Sequence, residues 1–208
     1  MTIDTATAQQ YFTESDPIMA DMLDAALNAQ NPIAIPKPKP PSAYFGSIVS
    51  SIIGQQISTK AASAIRGRVV ELLVDINPET VTKVDFWDLK NCGLSEKKTQ
   101  YIKQNAELWD SIPTQDFVRM SDEEIITELT KLYGIGKWTA EMFMMFSLAR
   151  PDVFSYGDLG LMKSLYTHYN YKPHYVRKIA STVENWSPHR TTASLALWHT
   201  IDNGPVLL

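Results

Sequence analysis

Apolar residues recur at helical spacing almost from one end of this chain to the other, and no run of alternating apolar and polar residues frames a hairpin turn. The expected fold is therefore all-α, a two-lobed helical bundle. Ser15 and Pro17 mark the start of a first helix carrying Ile18, Met22, Leu23 and Leu27. The stretch 31–41, NPIAIPKPKPP, is too rich in proline for helix and predicts an extended connector. Beyond it, Ser42 is read as the N-cap of a helix with Phe45, Ile48, Val49, Ile52 and Ile53, followed by the polar segment 54–58 and a helix through Ile65, Val69 and Leu72. Further helices are expected over 84–90, 95–109, 121–132, 137–149, 158–169, 173–184 and 188–203, punctuated by Gly93, Pro113, Gly134 and Pro151.

With 208 residues, 44% of them hydrophobic, the chain can bury one substantial core or two smaller ones. Its single cysteine, Cys92, excludes an internal disulfide and any four-cysteine zinc or iron–sulfur site. No apolar run approaches the ~20 residues that cross a bilayer, and the N-terminus lacks the pattern of a secretory signal, so no membrane role and a cytoplasmic protein are expected. The formal net charge of −4 argues against binding nucleic acid through a general positive excess. Any such contact has to be local and made in part by backbone amides.

The segment SDEEIITELTKLYGIGKWTAEMF suggests how. Ser121 and Glu124 have capping-box spacing, and Gly134 and Gly136 permit a tight reversal before the next helix. A helix N-terminus presents N–H groups without intrahelical acceptors, an anion site that needs no basic surface. Lys137 adds a charge beside it.

The run Leu132 to Ala140, LYGIGKWTA, resembles the hairpin of the helix-hairpin-helix DNA glycosylases. Four other segments agree in order and spacing with the alkylation-repair branch of that superfamily. They are Ile53 to Ser58, Gly93 to Ile102 with its paired lysines, Phe154 to Gly160, and the last helix with Trp198.

The resemblance implies an enzyme of base excision repair that everts a damaged base from double-stranded DNA and cleaves its N-glycosidic bond. It implies that Asp158 is the catalytic carboxylate, whereas Asp152 precedes the loop. Glycosylases of the superfamily that also cut the strand carry a lysine two residues past the second hairpin glycine. Here that residue is Trp138, and Lys137 is turned away by about 100°. Hydrolysis by water is thus expected, with alkylated purines such as 3-methyladenine and 7-methylguanine as substrates.

The resemblance also places Trp138, Trp198, Tyr156, Met142 and Leu159 at the base pocket, although Met142 and Leu159 stand where bacterial members of the branch have tyrosines. Gln55 and Gln56 match the segment that enters the minor groove, with Gln56 at the wedge position. Gly134, Gly136, Lys137 and Thr139 match the phosphate-gripping turn. Backbone carbonyls of Thr130, Leu132 and Ile135 match a site for a structural Na+ or K+, no cofactor being required. The four histidines share no ligand spacing.

Two lobes are expected, residues 42–150 with the hairpin and residues 1–41 joined to 151–208, with Asp158 at an interlobe cleft. The chain is expected to act as a monomer on DNA, in the nucleoid of a prokaryote or the nucleus of a eukaryote. Two other readings stand beside this one: a non-catalytic helix-hairpin-helix DNA-binding module, and a glycosylase for uracil, mismatched thymine or oxidised purines. Asp158 and the tryptophans count against the first, and the missing lyase lysine and cysteine cluster against the second.

Overall fold

The computed structural model describes residues 3–201, and every regular element among them is helical. The chain divides into two compact units, residues 3–38 with 144–201 and residues 39–143.

In the first unit, α1 (Thr5–Ser15) starts at Asp4, whose carboxylate accepts the N–H groups of Ala6 and Thr7. It buries only Ala8 and Phe12, too few apolar residues to announce a helix in the sequence. The helix expected at Ser15 is α2 (Pro17–Leu27), and its cap is Asp16. That carboxylate accepts the Met19 N–H and also the Tyr169 hydroxyl and the Trp186 indole N–H, at 2.8 and 2.7 Å. Ile18, expected on the apolar face, is exposed.

The unit is completed by α10 (Leu159–His168), α11 (Val176–Asn185) and α12 (Arg190–His199). α12 packs against α2 and α10, and residues 191–198 are all buried, which makes it the central helix of the unit. The Asn203 end expected for it lies outside the described residues.

The start of α12 also fixes the loop that leads to Asp158. The Thr191 hydroxyl donates to the Arg150 carbonyl at 2.6 Å and accepts the Val153 N–H at 3.0 Å. Asp152 takes two guanidinium N–H groups of Arg190, at 2.7 and 2.8 Å, and the Ser187 hydroxyl at 2.7 Å.

The second unit is built on α3 (Tyr44–Gly54), which packs against α4 (Thr59–Leu73) and α7 (Glu96–Leu108). Ser42 does not cap α3; it lies in a 3-10 turn, Pro41–Ala43, that runs into the helix. α5 (Pro78–Lys83) was not expected, because six residues are too short to show a period. An Asn77–Thr80 capping box starts it, and Lys103 closes it by donating to the carbonyls of Val81, Thr82 and Val84. The helix expected over 84–90 is α6 (Phe86–Asn91), capped by Asp85. α8 (Asp122–Leu129) opens with the Ser121–Glu124 capping box read from the sequence.

The second boundary between units falls within α9 (Lys137–Phe146), after Phe143, and not at Pro151. A helix satisfies its own backbone hydrogen bonds and can serve two cores, so proline punctuation does not mark where one core ends.

Candidate active site and nucleic-acid interface

Asp158 is the N-cap of α10 and only 7% exposed. Its Oδ1 accepts the Leu161 N–H at 2.8 Å and the Trp198 indole N–H at 3.0 Å. Two donors on one oxygen fix the rotation of the carboxylate, and bonds to a charged acceptor are worth about 1.5–3 kcal/mol each. The Trp198 ring lies against Phe146 at 5.9 Å. Trp198, expected at the base pocket, donates its indole N–H to Asp158, a contact that no local sequence signal announces.

Around the carboxylate in sequence, Tyr156 is 47% and Leu159 87% exposed. The Tyr156 ring meets Phe154 edge-on at 5.0 Å, and partial burial pushes its hydroxyl above the usual tyrosine value. Asp152 is fully engaged by Arg190 and Ser187. Burial pushes its carboxyl up, but the hydrogen bonds from Arg190 and Ser187 outweigh this and hold it below the usual carboxylate value.

In the second unit the two glycines of the turn differ. Gly134 has φ +75°, and a Cβ there would lie 2.5 Å from the Tyr101 ring. Gly136 has open space around its Cα and no left-handed φ, so nothing within the fold demands glycine there. Asn105 clamps the turn from α7, accepting the Tyr133 N–H at 2.7 Å and donating to the Tyr133 carbonyl at 3.0 Å.

Gln55 joins the turn to the segment after α3, its side-chain amide donating to the Gly134 carbonyl at 2.8 Å. Lys98 holds the same segment, donating to the carbonyls of Ile53 and Gln55 at 2.8 and 2.6 Å, and partial burial pushes its ammonium below the usual lysine value. Gln56 is exposed and left-handed, with φ +60°. Neither clamp was read from the sequence beyond the paired lysines of that segment.

Lys137 begins α9 and lies 3.8 Å from Glu141. Trp138 is 39% exposed, while Thr139 and Met142 are buried. Thr130 caps the end of α8 in helical conformation, and the Leu132 carbonyl accepts the Ile135 N–H at 3.2 Å. Among the described residues no group of three His, Cys, Asp or Glu side chains could hold a metal, and no helix is long and apolar enough to cross a membrane.

Residues 49–189 match the model of the HhH-GPD superfamily base excision DNA repair proteins. The chain is 34% identical over 164 residues to DNA-3-methyladenine glycosylase 1 of Schizosaccharomyces pombe, covering 75% of this chain and 72% of that protein. Two further relatives are longer, and the chain spans 59% and 48% of their lengths. A DNA-3-methyladenine glycosidase from Bacillus halodurans superposes with a TM-score of 0.78 at 34% identity, covering 95% of this chain and 90% of that one. The S. pombe 3-methyladenine DNA glycosylase Mag1, solved in complex with abasic DNA, superposes with a TM-score of 0.74 at 30% identity, covering 93% and 96%.

Proposed function

The chain belongs to the HhH-GPD superfamily of base excision DNA repair proteins, and on that premise we propose that it is a monofunctional DNA glycosylase that hydrolyses the N-glycosidic bond of alkylated purines in duplex DNA. The observation that carries this reading is the buried Asp158 carboxylate, fixed by the Trp198 indole and the first turn of α10 and flanked in sequence by the exposed Tyr156 and Leu159.

Departure of the base leaves positive charge on the deoxyribose, and water adds at the anomeric carbon. The Asp158 carboxylate opposes that charge, orients the water for attack and takes its proton. An alkylated purine such as 3-methyladenine or 7-methylguanine already carries a positive charge and leaves with little acid catalysis. It is recognised as a flat cation by aromatic faces, and Tyr156, exposed two residues before the carboxylate, offers such a ring.

Gln56 suits the wedge that replaces an everted base, being exposed directly after the segment that Lys98 and Gln55 tie to the hairpin turn. The N–H groups at the start of α9, from Gly136 to Thr139, would receive a phosphate, with Lys137 alongside. The carbonyls of Thr130, Leu132 and Ile135 would hold a monovalent cation. The C-cap position of Thr130 fits this, since the last carbonyls of a helix have no intrahelical donor. Such an ion would add positive charge at the turn. With Trp138 where a lyase needs lysine, no Schiff base forms and the product is an abasic site on an intact strand.

The test is incubation of the protein, acting as a monomer, with methylated duplex DNA. Free 3-methyladenine or 7-methylguanine should appear, with strand breaks only after alkali, and Asp158→Asn should bind DNA while losing excision. Covalent trapping by borohydride, or turnover in Asp158→Asn, refutes the mechanism. Release of uracil alone transfers the chain to another substrate class.

A further inference from the structure

From residue 159 to residue 183 the chain contains Lys163, Lys172, Arg177 and Lys178 and no acidic residue, although its overall charge is −4. The basic residues from 172 to 178 fall on a run that is exposed at every position. This run follows α10, which Asn170 terminates with a left-handed φ of +52°, and continues into the first turn of α11.

Four side chains of this stretch connect through their rings. The Lys178 ammonium lies 4.8 Å above the Tyr171 ring, Tyr171 meets Tyr175 at 6.5 Å, and His174 meets Tyr175 at 4.8 Å. Three exposed lysines elsewhere pair with an acidic residue on their own helix, Lys83 with Glu79, Lys131 with Glu128 and Lys137 with Glu141. Among the described residues none of Lys163, Lys172, Arg177 and Lys178 forms an ion pair.

Arg177 and Lys178 also stand at the wrong end of their helix. The positive pole of α11 carries no acidic residue in its first turn and no side-chain cap, yet it holds two cations. Such a local conflict destabilises the free protein and is relieved by a bound anion; conflicts of this kind mark functional surfaces.

We propose that Lys172, His174, Tyr175, Arg177 and Lys178 form a second DNA contact, gripping the phosphodiester backbone of the duplex arm beside the everted nucleotide. α10 has ten residues, so this surface lies about 15 Å along the helix from Asp158. Along one DNA strand a length of about 15 Å spans about four nucleotides. Alternating cations and aromatic rings suit phosphates and sugars and carry no base code, as a repair enzyme that must scan any sequence requires.

The proposal rests on the DNA-glycosylase reading, and the test separates the two. Binding of undamaged duplex is measured against salt concentration for the wild type and for Lys172→Gln/Arg177→Gln/Lys178→Gln. Each lost phosphate contact makes the slope of log affinity against log salt shallower by about 0.9, so a decrease of about 2.7 is expected, and of about 0.9 for Arg177→Gln alone.

Lys83→Gln/Lys131→Gln should leave the slope as it is. Duplexes whose arms end about two base pairs from the target should bind the wild type and the triple variant alike. An unchanged slope in the variants overturns the proposal and would point to a protein partner for this surface. An equal loss in the Lys83/Lys131 control overturns it too, by showing a mere effect of net charge. Base release by the wild type is scored separately: its absence refutes the glycosylase reading while the slopes still judge the surface.

Discussion

The indole N–H of Trp198, near the end of α12, donates to the Oδ1 of Asp158, which caps α10, and the two residues lie 40 positions apart in the chain. Trp198→Phe keeps the ring against Phe146 and removes only this donor. A hydrogen bond to a carboxylate of about 1.5–3 kcal/mol corresponds to roughly a 10- to 150-fold loss in the single-turnover rate of base release. DNA affinity should stay the same. An unchanged rate would mean that the Leu161 N–H alone orients the carboxylate.

Gly134 and Gly136 should separate structural from functional demand. Alanine at 134 must take φ near +75° and meet the Tyr101 ring, so Gly134→Ala should lower stability by more than about 1 kcal/mol. Alanine at 136 enters open space and should change stability by less than about 1 kcal/mol. If a phosphate approaches the main chain there, Gly136→Ala nevertheless weakens DNA binding severalfold. Thermal melting and a binding titration on both variants decide it.

The helical class, the Ser121 capping box and the placement of Asp158 ahead of α10 were legible because each rests on residues within one turn of one another. The hairpin was legible as a turn, yet its two glycines looked alike, since what distinguishes them is the Tyr101 ring 33 positions earlier. Trp198 could be recognised as important only through resemblance, and its hydrogen bond joins helices that no periodicity pairs. α1 stayed hidden because two buried side chains do not make a stripe, and α5 because capping residues, not apolar spacing, define it.

Asp152 carries a testable dependence on pH. Its folded-state carboxyl lies below the value of 3.8 that an unperturbed aspartate has. A lowered carboxylate value favours the fold while the group is ionised. That contribution is complete above the unfolded value and is lost as the pH falls through the lower folded one. Asp152→Asn should therefore cost about 1–3 kcal/mol at neutral pH and flatten the fall in melting temperature below about pH 4. Equal acid sensitivity of wild type and variant would show that Arg190 finds another acceptor.

Lys98 is the residue on which the segment after α3 depends. Its ammonium sits at the negative pole of that helix and bridges the carbonyls of Ile53 and Gln55. Gln55 is tied in turn to Gly134, and Gln56 is left in a conformation that costs about 1–2 kcal/mol for a side chain with a Cβ. Lys98→Met retains the apolar stem and withdraws the donors, so stability should fall by about 1–3 kcal/mol. If Gln56 is the wedge, its relaxation should also slow eversion, seen as a weaker signal from a fluorescent base analogue at the target position. Lys98→Arg keeps charge and donors and should recover much of both. Loss of stability with full eversion would confine Lys98 to a structural role and move the wedge elsewhere.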